Sequence, residues 1–381
     1  MTRASAHIVG AYEYPARRVE DATVAGIAQD VAIGALEDAG LTLDSVDALF
    51  CDTTAGVEPV ALAELLGLDR LRYLNSTDVG GSSYLYHVGQ AVQALESGVC
   101  DVALVVMAGL ATRKPPAFDP GRVPGAAYEP SGVSQPSAYA LVAQRHMYEY
   151  GTTSEQLAAV RVAASTHAQY NPLARFRDPV TVDDVLSSPM ISDPLHRLDC
   201  CITTDGGGAL VLVSSRMAGS IERAGVGVRG YGFALAHNEA GFRDITISAA
   251  VGSGRDAFAM AGVKPADIGY ASIYDSFTIT VVVALEDLGF CKKGEGGPFV
   301  AEGSLLAPDG VIPFNTDGGG LCNNHPGRRG GMVRTLEAVR QLRREAAPEV
   351  QVDADLGLVH GTGGNLGGRH ACATLVLEAP Q

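Results

Sequence analysis

NTDGGGLCNNHPGRRGGM, residues 315–332, sets a glycine-lined turn, one histidine and a helix start in immediate succession. Gly318, Gly319 and Gly320 allow positive φ and let the backbone come close to a ligand. Pro326 biases the backbone of His325 toward extended geometry, which aims the imidazole. Beyond the turn, Met332, Leu336, Val339 and Leu342 recur at helical spacing, so the loop feeds an amphipathic helix whose N-terminus faces the same pocket. A glycine-rich turn holding a purely structural histidine fits the spacing equally well.

Working outward, a second loop of this kind occurs earlier, NSTDVGG at 75–81, and it also runs into a helix that leads to a buried strand. The earlier strand is the apolar run Val102 to Met107; the later one is Leu356 to His360. AGLTLDSVDALF at 39–50 can likewise be laid on AGVKPADIGYAS at 261–272, each with a helix before it and a strand at its end. Two correspondences in the same order indicate an internal duplication, with halves at 1–225 and 226–381. Independent elements of similar phrasing are the alternative. Strands at His7–Gly10, Asp47–Cys51 and Ala209–Ser214 alternate with helices around Val24–Ala35, Leu62–Leu66, Ala138–Tyr150 and Ser154–Tyr170. This implies an α/β fold with a helix-covered sheet. The Pro- and Gly-rich stretches Thr112–Ser137 and Asn171–Leu198 are too long for ordinary connections, which marks them as functional or disordered.

Composition bounds the possibilities. With 381 residues, 46% of them apolar, the chain can bury a sizeable core. A net charge of −15 without a basic stripe excludes nucleic-acid binding and favours solubility. The seven cysteines are odd in number and lack paired metal-ligand spacing, so neither a disulfide framework nor a metal site is expected. The N-terminus lacks the apolar core of a signal peptide, and the longest apolar run, Val102–Ala111, is too short to cross a bilayer. The expectation is a cytoplasmic protein without membrane association.

Four stretches together carry a resemblance: LDCCITTDGGGALVL at 198–212, IYDSFTITVVVALEDLGFCKKGEGGPFV at 273–300, the His-Pro-Gly loop, and HGTGGNLGGRHACATLVL at 360–377. The chain resembles the thiolase superfamily, in particular its sterol-carrier-protein-2-like branch and the steroid side-chain aldolases within it. The resemblance implies two pseudo-symmetric βαβαβαββ halves in an αβαβα arrangement, acting on coenzyme A thioesters. The coenzyme enters as part of the substrate, and no separate cofactor is implied.

Residue by residue, a thiolase places its nucleophilic cysteine where this chain has about Gly81. Ser82 and Ser83 follow, better suited to capping or to donating to a thioester carbonyl than to attack, since a hydroxyl needs an adjacent base. The Asn-Glu-Ala-Phe or His-Asp-Cys-Phe loop reads Tyr274-Asp275-Ser276-Phe277, substituting a phenol that can donate or accept a proton. His325 keeps the family histidine, and His360 stands at the position of the second, acid/base cysteine, where an imidazole could titrate near neutrality. Gly319 and Gly363 complete the expected oxyanion and substrate loops. Cys322 and Cys372 fall on no catalytic position. The steroid aldolases carry a second tyrosine near the His-Pro-Gly loop, whereas no tyrosine follows Tyr274 here.

These residues imply retro-aldol cleavage of a β-hydroxyacyl-CoA through an enolate held in an oxyanion hole. The alternatives are a Claisen-type acyltransferase and a non-catalytic acyl-CoA or lipid carrier. The resemblance also implies a homodimer through edge strands, with Val102–Met107 as the expected edge. A DUF35-type companion, an OB-fold joined to a zinc ribbon, is a further implied partner. Arg113, Lys114, Arg175, Arg177, Arg328 and Arg329 are candidates to meet coenzyme A phosphates.

Overall fold

The apolar runs of the chain become strands that hydrogen-bond edge to edge, with helices on both faces. The computed structural model describes residues 4–52, 57–112, 134–237, 242–326, 330–368 and 370–380. The strands are β1 Ala6–Glu13, β2 Ala48–Phe50, β3 Tyr73–Asn75, β4 Val102–Leu110, β5 Met190–Ser192, β6 Leu195–His196, β7 Asp205–Ser214, β8 Val226–Ala236, β9 Tyr270–Ile273, β10 Leu356–Gly364 and β11 His370–Glu378. The helices are α1 Val24–Asp38, α2 Pro59–Leu65, α3 Ser83–Glu96, α4 Gln135–Tyr150, α5 Ser154–Ala168, α6 Val182–Ser187, α7 Ser215–Ala218, α8 Ala250–Ala261, α9 Thr278–Asp287, α10 Gly296–Ala301, α11 Gly319–Cys322 and α12 Gly330–Leu342.

Among the described residues the main sheet runs β3-β2-β4-β7-β1-β8-β11-β10-β9. Its two ends repeat one pattern. β2 pairs in parallel with β4, β4 antiparallel with β7, and β7 antiparallel with β1. In the same relations β9 pairs with β10, β10 with β11 and β11 with β8. Even β3, parallel to β2, has a counterpart in the parallel bridge between Phe314 and Ala271. The two sets meet where Ala6–Ile8 pairs with Val226–Val228.

Strand periodicity then builds the layers. Leu104 and Val106 of β4 pack with α1 and α2, whereas Ala103 and Val105 pack with α3 and α12. Successive residues point to opposite faces, so a strand covered on both sides reads as an unbroken apolar run. Helices α3 and α12 share one core with the facing strands of both halves, and α8 and α9 cover the far face of the second half. Burial of each Val or Leu there contributes about 1.5–3 kcal/mol, which anchors the two loops that lead into α3 and α12. Among the described residues no helix is long and apolar enough to cross a membrane.

Three expectations need correction. β4 lies between β2 and β7, with both edges occupied, so Val102–Met107 is not an edge strand; the outer strand of that half is β3. The stretch Asn171–Leu198 is not structureless, since it contains α6, capped by Thr181 and Asp184, and the β5-β6 hairpin. α4 begins at Gln135, inside the stretch expected to be irregular, because Ser134 accepts the Ser137 N–H and Pro136 fits a first helical turn. Most of Thr112–Ser137 lies outside the described residues.

Candidate active site

Tyr274 is the first residue beyond β9, and its N–H donates to the carbonyl of His360 at 2.8 Å. The side-chain amide of Asn315 extends this edge as a strand would, exchanging two 2.8 Å bonds with the backbone of Ile273. The Asp275 carboxylate accepts the N–H groups of Gly320 and Leu321 at 2.7 and 3.1 Å, which ties the Tyr274 segment to the glycine turn. Burial raises the Asp275 pKa, although Arg334 and these two amides oppose it.

The turn is held from beneath by a buried ion pair. Arg334 of α12 makes a bidentate contact with Asp317 at 2.7 and 2.6 Å, and Asp317 also accepts from the Gly319 N–H and from Asn323. Burial alone would raise the Asp317 pKa; the guanidinium and these donors hold it below the usual carboxylate range. Breaking such a pair costs about 3–5 kcal/mol. The N–H of His325 donates to Thr204 Oγ1 at 2.8 Å, and that hydroxyl donates to Asn324 Oδ1 at 2.6 Å.

So positioned, Tyr274 Oη and His325 Nε2 lie 2.5 Å apart, with their rings inclined by 11°. Burial pushes the Tyr274 hydroxyl well above its ordinary value, with Cys201, Tyr139 and Asp275 adding to the effect. It therefore rests protonated, and it donates to the imidazole when the ring carries its proton on Nδ1. Both residues line a cavity of about 660 Å³ together with Gly81, Gly363, Thr362 and Tyr139.

The tyrosine ring is gripped between two glycines. A Cβ at Gly81 would come 2.5 Å from Tyr274 Cε1 and would collide with the Thr362 carbonyl, and one at Gly330 would strike the opposite ring edge. The place where resemblance implies a nucleophilic cysteine is thus filled by the phenol. Cys200 and Cys201 also line the cavity, and burial pushes the Cys200 thiol up to about 12. Such a thiol is a poor nucleophile.

Of the residues singled out from sequence, Tyr274, His325, Gly81 and Gly363 come together at the cavity. Four others do not line it. His360 is fully buried, its Nδ1 lies 2.9 Å from Thr374 Oγ1, and burial pushes its pKa down to about 3, with His370 adding. Burial therefore favours its neutral form, and it stands apart from the cavity that holds Tyr274 and His325. Ser82 donates to the Val79 carbonyl at 2.9 Å; Ser83 donates to that of Gly80 and accepts the Val79 N–H, so both hydroxyls are spent inside the turn. Gly319, at φ +65°, gives its N–H to Asp317 and lies against Asp275. Its glycine character serves the turn rather than a ligand. Arg175 and Arg177 do not line the cavity either; Arg113, Lys114, Arg328 and Arg329 fall outside the described residues. Tyr139 and Thr362 were missed, and nothing in their local sequence marks them.

Known proteins resemble the chain in sequence and in fold. Residues 233–378 match the family described as Thiolase C-terminal domain-like. The acetyl-CoA acetyltransferase of Methanothermobacter thermautotrophicus is 34% identical over 378 residues, covering 94% of this chain and 96% of that protein. The steroid side-chain-cleaving aldolase of Thermomonospora curvata is 34% identical over 339 residues, covering 83% and 85%. The solved Ltp2-ChsH2(DUF35) aldolase is similar over 100% of this chain and 99% of its own, with 31% identity and a TM-score of 0.90. The chain belongs to the thiolase superfamily, in its sterol-carrier-protein-2-like branch.

Proposed function

We propose that the protein cleaves a β-hydroxyacyl-CoA by a retro-aldol reaction, on a substrate of the steroid side-chain type. The observation that carries this is Tyr274, paired with His325 and seated where an acyl-accepting side chain at position 81 would have to be. Tyr274 takes the proton of the β-hydroxyl while passing its own to His325 Nε2. The carbinol becomes a carbonyl, the Cα–Cβ bond breaks, and its electron pair becomes a thioester enolate. Backbone at Gly81 and Gly363, beside the positive end of α3, faces the enolate oxygen. The proton then returns through Tyr274 to Cα, releasing a shortened acyl-CoA and a carbonyl compound. No acyl group is ever attached to the protein, so Claisen chemistry, the activity named for the Methanothermobacter relative, has no place to park its intermediate. Intact-mass spectrometry after incubation with acetyl-CoA is expected to show the unmodified chain. A stable adduct on Ser82, Ser83 or Cys201 would overturn the aldolase reading in favour of acyl transfer.

Partners are part of the proposal. The structural relative Ltp2-ChsH2(DUF35) supports a DUF35-type companion for this chain, and the exposed outer strand β3, with Leu74 41% exposed, suits pairing with a second copy. Light scattering should report about twice the 39.5 kDa chain mass, and a monomer at micromolar concentration would rule out the dimer. Turnover by the isolated chain at the rate of the reconstituted complex would make the companion dispensable.

A further inference from the structure

We propose that Glu13, the last residue of β1, is a positioning residue for His325: through Asn324 and Thr204 it fixes the direction of each hydrogen bond that holds the histidine, and so aims the imidazole at Tyr274. The kinetic consequence rests on the retro-aldol reading above. The loop that carries His325 belongs to the second half of the chain, yet the side chains that hold it, Glu13, Arg17 and Thr204, come from the first. What they hold is a contact of 2.5 Å between His325 Nε2 and Tyr274 Oη, and misplacing such a contact by about 1 Å costs about a hundredfold in rate.

Direction is set from one end. The Glu13 carboxylate lies 2.9 Å from Arg17 and 3.4 Å from Arg340, and a carboxylate so paired accepts hydrogen bonds and gives none. Asn324 must therefore present its Nδ2 to Glu13, at 2.7 Å, which turns its Oδ1 toward Thr204. The Thr204 hydroxyl spends its one proton on that oxygen, at 2.6 Å, and has only lone pairs left for the backbone N–H of His325, at 2.8 Å. Each group has one permitted role, and the carboxylate assigns it. Asn323 is oriented by the same rule: its Oδ1 accepts from Arg17 Nε at 3.0 Å, and its Nδ2 donates to Asp317 at 2.7 Å. Both asparagines are fully buried. A buried polar network whose hydrogen bonds are met in this way gives rigidity more than net stability, and the residue it makes rigid is His325.

The test exchanges donor and acceptor. Asn324→Asp keeps the shape but sets a second carboxylate against Glu13, so the side chain is driven from its place. Adding Glu13→Gln lets the new amide donate to the new carboxylate, which still accepts from Thr204, and the direction at His325 is restored. Two readouts are taken: cleavage of the β-hydroxyacyl-CoA that propionyl-CoA and a 17-ketosteroid would form, by the protein with whatever companion its activity requires, and the nitrogen NMR signal of His325 Nε2 without substrate, assigned by its loss in His325→Gln. Asn324→Asp is expected to lower kcat about ten- to a hundredfold with KM unchanged, and to move the nitrogen signal toward its position in Tyr274→Phe. The double variant is expected to bring both back to within a few fold of wild type and to the wild-type position. If Asn324→Asp lowers only the unfolding temperature and leaves kcat and the signal in place, Glu13 is scaffolding and the proposal fails. If the double variant stays as impaired as Asn324→Asp, no direction is transmitted and the proposal fails. A wild-type protein that cleaves no β-hydroxyacyl-CoA would overturn the retro-aldol reading alone, since the nitrogen signal decides the positioning without substrate.

Discussion

Tyr274→Phe loses at least about a hundredfold in turnover while the protein folds as before, the range expected for a lost acid/base or oxyanion donor. Only one oxygen is removed, and the ring remains gripped between Gly81 and Gly330, so packing is preserved. What is lost is the hydroxyl that stands 2.5 Å from His325 Nε2, and with it the path from the carbinol to the imidazole. The loss should appear in kcat as well as in kcat/KM, since the group acts on the transition state rather than in binding. Steady-state kinetics with matched circular dichroism checks it. Turnover within a few fold of wild type would assign Tyr274 to structure and leave His325 to work alone.

Gly81→Cys abolishes activity without creating an acyltransferase. The new Cβ meets Tyr274 Cε1 at 2.5 Å and the backbone carbonyl of Thr362, so either the ring leaves its place beside His325 or the helix start shifts. Overpacking of this sort costs about 1–3 kcal/mol, read as a lower unfolding temperature together with turnover at least about a hundredfold down. The double variant Gly81→Cys/Tyr274→Ala removes one of the two obstacles, leaving the Thr362 carbonyl. Its stability should therefore exceed the sum of the two single changes by about 0.5–3 kcal/mol, the coupling expected for residues in contact. Additive stabilities would mean that the ring and position 81 do not compete for space.

Much of this was legible in the sequence, for identifiable reasons. The turn at 315–326 and helix α12 are set by local chemistry, glycines followed by an apolar stripe, and local signals survive folding. The duplication was visible because each half repeats the same helix, loop and strand in the same order. That His360 stands apart from the cavity was not legible, because position along a strand does not reveal its face. Gly361 and Gly363 look toward the start of α3; His360, one residue off, points the other way and meets Thr374 across the β10–β11 pair. The apolar run of β4 could not tell an inner strand from an outer one, since both faces are covered in either case. Tyr139 was beyond reach. It is brought to the cavity by the packing of α4 on a half of the chain more than a hundred residues downstream, and no spacing rule encodes that distance.

The two glycines that flank Tyr274 also constrain ancestry. A chain with a side chain at position 81 and a tyrosine at position 274 must displace the ring or the helix start, because both claim one volume. A lineage passing from a cysteine at 81 to a tyrosine at 274, or back, therefore meets an overpacking cost of about 1–3 kcal/mol if the larger residue arrives first. The order that avoids this cost removes one side chain before the other is gained, and its intermediate has neither the thiol nor the phenol.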